Sequence, residues 1–166
     1  MYFEKVSFNE WYKSIKKYNA HLSEESIRKI YDDIKLPQAS TQYAAGHDFY
    51  LPYEIECGED ASPVTIPTGI RWITEESDKD TFLLLCPRSG LGCKFGFRLV
   101  NTVGIVDADY YMSDNEGHIL AIVQASSPCF LVRGERFMQG IILPYYRCGD
   151  SNTQIRNGGF GSTGAI

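Results

Sequence analysis

Two helical patterns open the chain. Ser7-Phe8-Asn9-Glu10 has the spacing of a capping box, in which a hydroxyl and a carboxylate together close a helix start. Trp11, Ile15 and Tyr18 then recur at helical intervals, so an amphipathic helix is expected there. A second start follows at Ser23. Ile27, Ile30, Tyr31 and Ile34 fall at i, i+3, i+4 and i+7, with Arg28, Lys29, Asp32 and Asp33 facing away. Pro37 stops that helix, because it lacks an N–H and its ring clashes with the preceding turn. The pair reads as a packing extension laid against a larger body.

The pattern changes from about residue 44. Short runs rich in β-branched and aromatic residues alternate with Gly, Pro, Asp and Asn: Val64–Ile66, Phe82–Leu85, Phe97–Val100, Ile119–Val123, Phe130–Val132 and Ile141–Leu143. Many short strands with frequent turn signals predict an all-β barrel or sandwich. No repeat of fixed period is present. Gly149 to Ile166 is polar and glycine-rich with no apolar face to bury, and by itself predicts a mobile tail.

Length and composition narrow the picture. A chain of 166 residues with 43% apolar and 22% charged residues suits one domain with its own core. The net charge of −5 argues against a polynucleotide as main partner, since such binders carry a basic excess. A small anionic ligand stays open, because a few cations and backbone N–H groups hold phosphate whatever the global charge. The five cysteines form no Cys-x-x-Cys pair, and the odd count argues for free thiols in a reducing compartment. There is no basic-then-apolar leader and no apolar run long enough for a membrane span, so a cytoplasmic protein is expected.

Candidate chemistry sits in five segments. Ala45-Gly46-His47-Asp48-Phe49 places a carboxylate in a glycine-initiated turn. Pro87-Arg88-Ser89-Gly90-Leu91-Gly92 offers a guanidinium, a hydroxyl and flexible N–H groups, an inventory suited to polyphosphate. The run Asn101 to Tyr110 (NTVGIVDADY) carries an amide, two acids and a phenol around a turn. Gly134 to Gln139 (GERFMQ) precedes a strand, and Gly158 to Gly164 (GGFGSTG) sets one aromatic ring among glycines and two hydroxyls. Glycine lets a backbone approach a ligand closely, and a ring such as Phe160 can stack on a nucleobase.

In this order and at these intervals the five segments resemble the five motifs of the trimeric dUTPase family, across residues 44–164. The resemblance implies a distorted jelly-roll barrel, with residues 1–36 as a helical extension, 37–148 as the β core and 149–166 as an arm that closes over the active site. It implies a homotrimer with shared active sites that hydrolyses dUTP to dUMP and pyrophosphate. Asp107 aligns with the general base, Tyr110 with the phenol beneath the deoxyribose, and Asn101, Gly104 and Val106 with the hairpin that reads uracil. Arg88, Ser89, Gly90 and Gln139 match phosphate contacts. In the arm, Phe160 would cover uracil while Arg156, Gly161, Ser162 and Thr163 reach the phosphates. Mg²⁺ would be held by phosphates and water, with no direct protein ligand and Asp48 near it through water.

Some residues read as structural: Asp109 as a turn former, Arg136 as a tie between the fourth motif and the core, and His47 as a packed ring. His21 and His118 have no partner at metal-ligand spacing. Three departures from the family pattern stand out: a longer hairpin tip at residues 111–116, one residue fewer between Arg156 and Phe160, and His47 where the family usually has an aromatic or aliphatic residue. A dCTP deaminase of the same fold is the nearest enzyme alternative, though it lacks the glycine-rich Phe tail; a catalytically silent nucleotide sensor is an alternative of another class.

Overall fold

The computed structural model describes residues 1–59 and 61–149. In chain order the elements are β1 (Tyr2–Lys5), α1 (Phe8–Tyr18), α2 (Glu24–Asp32), β2 (Gln38–Ala39), β3 (Gly46–Tyr50), β4 (Ile55–Cys57), β5 (Val64–Pro67) and β6 (Ile70–Ile73). There follow β7 (Thr81–Pro87), α3 (Ser89–Phe95), β8 (Arg98–Leu99), β9 (Gly104–Asp107), β10 (Leu120–Gln124), β11 (Cys129–Leu131) and β12 (Arg136–Pro144). The described residues form a mainly β fold with helices near the N-terminus. Their strands group into four sheets, and closure into one barrel is not seen. The largest sheet has the order β2-β3-β12-β7-β9, and β5-β10-β8 is the second. The smaller pairs are β1-β6 and β11-β4.

Inward-facing residues of these sheets build one core. Phe49, Leu83, Leu85, Phe137 and Val123 are buried in it, together with Trp72 of β6. The alternation along β7, with Leu83 and Leu85 buried and their neighbours less so, is the period-two pattern of a strand with one face on the core. All five cysteines are free thiols. Cys57 and Cys129 stand opposite each other on β4 and β11, and burial pushes the Cys57 thiol up to about 11.

The N-terminal segment differs from its sequence pattern in one respect. Tyr2–Lys5 is a strand, paired antiparallel with β6 from Tyr2↔Ile73 to Lys5↔Ile70. Four residues are too few for periodicity to separate strand from loop, so only the tertiary partner decides. Both expected helices are present. Trp11 and Ile15 of α1 and Ile27 of α2 are fully buried, and the Trp11 indole N–H donates to the Ile27 carbonyl at 3.2 Å. α2 stops at Asp32, before Pro37 is reached.

The capping box is only half internal. The Ser7 hydroxyl accepts from the Glu10 backbone N–H at 3.2 Å, as the spacing predicts. The Glu10 carboxylate, however, turns inward to the Ser14 hydroxyl at 3.1 Å and to His118 Nδ1 at 3.4 Å. Its place is taken from across the chain by Glu116, which accepts from the Ser7 N–H at 2.7 Å and from the Ser7 hydroxyl at 2.6 Å. Fully buried His118 accepts at Nε2 from the Gly69 N–H at 2.9 Å, so the ring proton lies on Nδ1, facing Ser14 and Glu10. The long tip and His118, two residues after it, thus fasten α1 to the β body. The tip also needs glycine at Gly117, where φ is +73° and a Cβ would lie 2.5 Å from Tyr111 Cα.

Burial works to raise the Glu116 pKa, but the two hydrogen bonds from Ser7, helped by Arg71, outweigh it and bring it below its ordinary value of 4.5. A depressed carboxylate pKa gives stability that is present above the unfolded value and is lost as pH falls through the folded one. Glu116→Gln is therefore expected to lower the stability from urea unfolding at pH 7 by about 1 kcal/mol, the size of a lost helix cap. The gap to the native chain should close as pH falls below 4.5 and through the lower folded value; a gap that persists in acid removes Glu116 as an ionised cap.

Candidate active site

Asp48 sits in the middle of β3, with Gln38 of β2 opposite on one side and Gln139 of β12 on the other. It is almost fully buried, which a carboxylate tolerates only when paired. Its Oδ1 faces Arg88 Nε at 3.3 Å and its Oδ2 accepts from Arg136 Nη1 at 3.0 Å. The acid therefore clamps two arginines that enter from the end of β7 and the start of β12. Arg136 does tie the fourth segment to the core. Arg88 is held through Nε, and its side chain stays 37% exposed, so its outer nitrogens face solvent and any anion that arrives there.

The glycines of this region answer to packing or to space. A Cβ on Gly46 would lie 2.5 Å from Gln139 Oε1, so glycine lets the Gln139 amide lie across β3. At Gly90, beside exposed Ser89, nothing lies within 4 Å of such a carbon. Protein packing does not require that glycine, and the backbone there is open to a ligand. His47 packs against Phe3, ring centroids 5.5 Å apart.

The third segment forms a tight turn that leads from β8 in one sheet into β9 in another, closed by an isolated bridge between Leu99 and Thr102. Thr102 adopts φ +68°, and the Thr102 and Val103 N–H groups donate to Leu99 O at 3.0 Å and Asn101 O at 2.7 Å, which closes the turn tightly. Asn101 is exposed at this turn, Gly104 packs on Leu85, and Val106 is buried. Asp107 is exposed at the far end of β9, opposite Phe82. The turn beyond it is fixed by Thr74, whose hydroxyl donates to Ala108 O at 2.6 Å. Tyr110 lies in the core with 2% exposure; its hydroxyl donates to His118 O at 3.3 Å and accepts from Asn115 Nδ2 at 3.0 Å.

The expected site residues therefore fall into two groups. Asp48, Arg88, Ser89, Gly90 and Gln139 gather where β3, β7 and β12 meet. Asn101, Gly104, Val106, Asp107 and Tyr110 belong to the hairpin and its continuation. Because β7 and β9 are antiparallel, Asp107 stands beside Phe82 at one end of β7 while Arg88 follows Pro87 at the other. At strand rise that separation is about 20 Å. Arg156, Phe160, Gly161, Ser162 and Thr163 lie outside the described residues.

A cavity of about 600 Å³ opens beside the hairpin turn, with Asn101, Gly104, Leu85 and Met138 in its wall. Lys13 and Lys17 of α1 also line it, two residues that sequence reasoning did not single out. Their spacing of four on the polar face of a helix was the available signal.

A tight amide-bearing turn, a solvent-facing carboxylate and an arginine with an open Ser-Gly backbone are groups that would suit a mainly β enzyme acting on phosphorylated nucleosides. The chain belongs to the dUTPase family, whose sequence model matches residues 32–164. It is similar to the deoxyuridine 5'-triphosphate nucleotidohydrolase of Lactococcus lactis, 36% identical over 145 residues that cover 80% of this chain and 89% of that protein. The protein of the same name from Dictyoglomus turgidum is 34% identical, over 83% of this chain and 96% of that one. In three dimensions the chain resembles the crystal structure of dUTPase from Streptococcus mutans, with a TM-score of 0.64 at 27% identity over 90% of this chain and all of that one (100%).

Asp48→Asn removes the charge that opposes two guanidiniums while preserving shape. It is expected to destabilise the fold by about 1–3 kcal/mol in urea unfolding, the cost of unpairing a buried charged group. An unchanged midpoint would mean that the arginines are held by something else.

Proposed function

We propose that the chain hydrolyses dUTP to dUMP and pyrophosphate in a homotrimer, with Asp107 as general base and each active site built from more than one chain. Asp107 takes a proton from a water molecule, the water oxygen attacks the α-phosphorus, and pyrophosphate leaves. An exposed carboxylate at a rigid strand end, with the turn behind it pinned by Thr74, suits this role: it reaches solvent and keeps its place.

Substrate selection rests on the hairpin. The Asn101 amide and the backbone at Gly104 and Val106 pair with the polar edge of uracil, on a turn held in one shape by its own backbone hydrogen bonds. Cytosine presents the opposite donor and acceptor order to a fixed backbone, a mismatch that leaves polar groups unpaired. Tyr110 is assigned to the deoxyribose; in the single chain it is core-buried, with its hydroxyl braced by Asn115 and His118 O. Arg88, Ser89, Gly90 and Gln139 receive the phosphates. The arm, with Arg156, Phe160, Gly161, Ser162 and Thr163, closes over the bound nucleotide. The jelly-roll barrel and the division into residues 1–36, 37–148 and 149–166 belong to this same reading.

Mg²⁺ fits this donor set as a companion of the substrate. Asp48 has both oxygens engaged by arginines, so it suits a contact through water better than a direct bond. When bound to the triphosphate, the ion neutralises charge on the phosphate oxygens.

The observation that carries the shared site is the span of β7. About 20 Å separates Arg88 from Asp107. A triphosphate is far shorter than that, so a base and a phosphate clamp on one substrate come from different chains. The expected results are a trimer in light scattering and pyrophosphate released from dUTP with Mg²⁺, but not from dCTP, dTTP or UTP; ammonia from dCTP would overturn the assignment. Asp107→Asn should keep nucleotide binding and lower kcat by about a thousandfold. Removing residues 157–166 should lower kcat while the trimer persists, and dissociation to monomers would replace the closing arm with an assembly role.

A further inference from the structure

We propose that α1 belongs to the substrate site, with Lys13 and Lys17 contributing a pair of cations that binds the phosphates of the nucleotide. Both line the cavity that also holds Asn101 and Gly104. Four residues apart on one helix, they stand about 6 Å from each other along its axis, on one face. Lys17 rests near the Tyr18 ring, and neither ammonium forms an ion pair among the described residues. Two cations held at a cavity wall without a paired carboxylate attract an anion locally, against the two acids that share the lining.

The helix that carries them is firmly placed. Trp11 fixes it to α2, Glu10 and Ser14 fix it to buried His118, and Ser7 is capped by Glu116. Asn115, next to Glu116, lines the same cavity and also braces Tyr110. The segment that continues from the hairpin therefore locks α1 beside it, so the two lysines and the turn hold a fixed relation. Two acids share the lining. Glu10 is engaged by Ser14 and His118, whereas Asp114 is exposed on the tip and opposes an anion. The family match begins at residue 32, so α1 is a contribution from outside the matched region.

The inference rests on Asn101 and Gly104 being the base-reading turn, and its test separates the two. Steady-state pyrophosphate release and calorimetric binding of a non-hydrolysable dUTP analogue are measured on the native chain and on Lys13→Gln/Lys17→Gln. The double variant should raise KM and weaken analogue binding by about tenfold, with kcat within about twofold and a flatter dependence on salt. The corresponding double Lys→Arg variant should stay near native, and Asp114→Asn should tighten binding about twofold. Unchanged KM and analogue affinity in a chain that hydrolyses dUTP would overturn the cation pair and leave the proposed function standing. So would an altered oligomer with unchanged affinity, which would make the cavity an interface between chains. A native chain that binds the analogue through these lysines but releases no pyrophosphate would uphold the pair and overturn the catalytic reading.

Discussion

The structure depends on β7 as a ruler. It is hydrogen-bonded on both edges, to β12 from Met138↔Pro87 to Pro144↔Thr81 and to β9 from Leu85↔Gly104 to Phe82↔Asp107. Leu83 and Leu85 bury its inner face. A strand paired on both sides and packed on one face cannot slip by a single residue without turning its apolar set outward. Its length is therefore a fixed distance, and the groups at its two ends, Arg88 and Asp107, are fixed with it. Flexible loops could bend two such groups together. Here β7 and β9 hold them apart, and the active site we propose follows from assembly of chains rather than from a fold within one chain.

Electrostatics tells a similar story at the phosphate end. A buried acid would be costly alone, and Asp48 is stable there because two guanidiniums meet it. The arrangement also draws Arg88 toward Asp48, which limits where its guanidinium lies before any ligand arrives. Such prior restriction lowers the entropy lost on binding. The same contact thus serves the fold and the proposed site, and Asp48 need not touch substrate to matter for it. Gly46 belongs to this arrangement as well, since it makes the room in which Gln139 lies.

What the sequence made legible was local. Ser7 and Ser23 marked two helix starts because their caps act within three residues. The apolar runs marked the longer strands because period two is a local property, although Phe97–Val100 shortened to Arg98–Leu99 where the hairpin turn begins. The five segments marked the candidate site through their order. Tertiary facts were not legible. Nothing around Glu116 announces that it caps a helix more than a hundred positions away, and the pairing of Asp48 with Arg88 and Arg136 brings together three separate segments. Lys13 and Lys17 looked like an ordinary solvated face, because a cavity wall made by two remote elements leaves no mark on either one.

The N-terminal helices can be understood on the same physical terms. An amphipathic helix as short as α1 is not stable alone and takes its stability from the surface it covers. Here that surface is reached through β1, which joins β6 and brings the chain to Val6 and Ser7 beside His118 and Glu116. The longer hairpin tip, which departs from the family pattern, supplies the carboxylate that closes the helix start. The helix and the tip are therefore mechanically one. Neither is explained as surface variation, since each satisfies polar groups that the other would leave unpaired: the Ser7 N–H on one side, and the Glu116 carboxylate on the other. Loss of the tip would leave the Ser7 N–H without its carboxylate, beside a helix start that the Ser7 hydroxyl alone would then close.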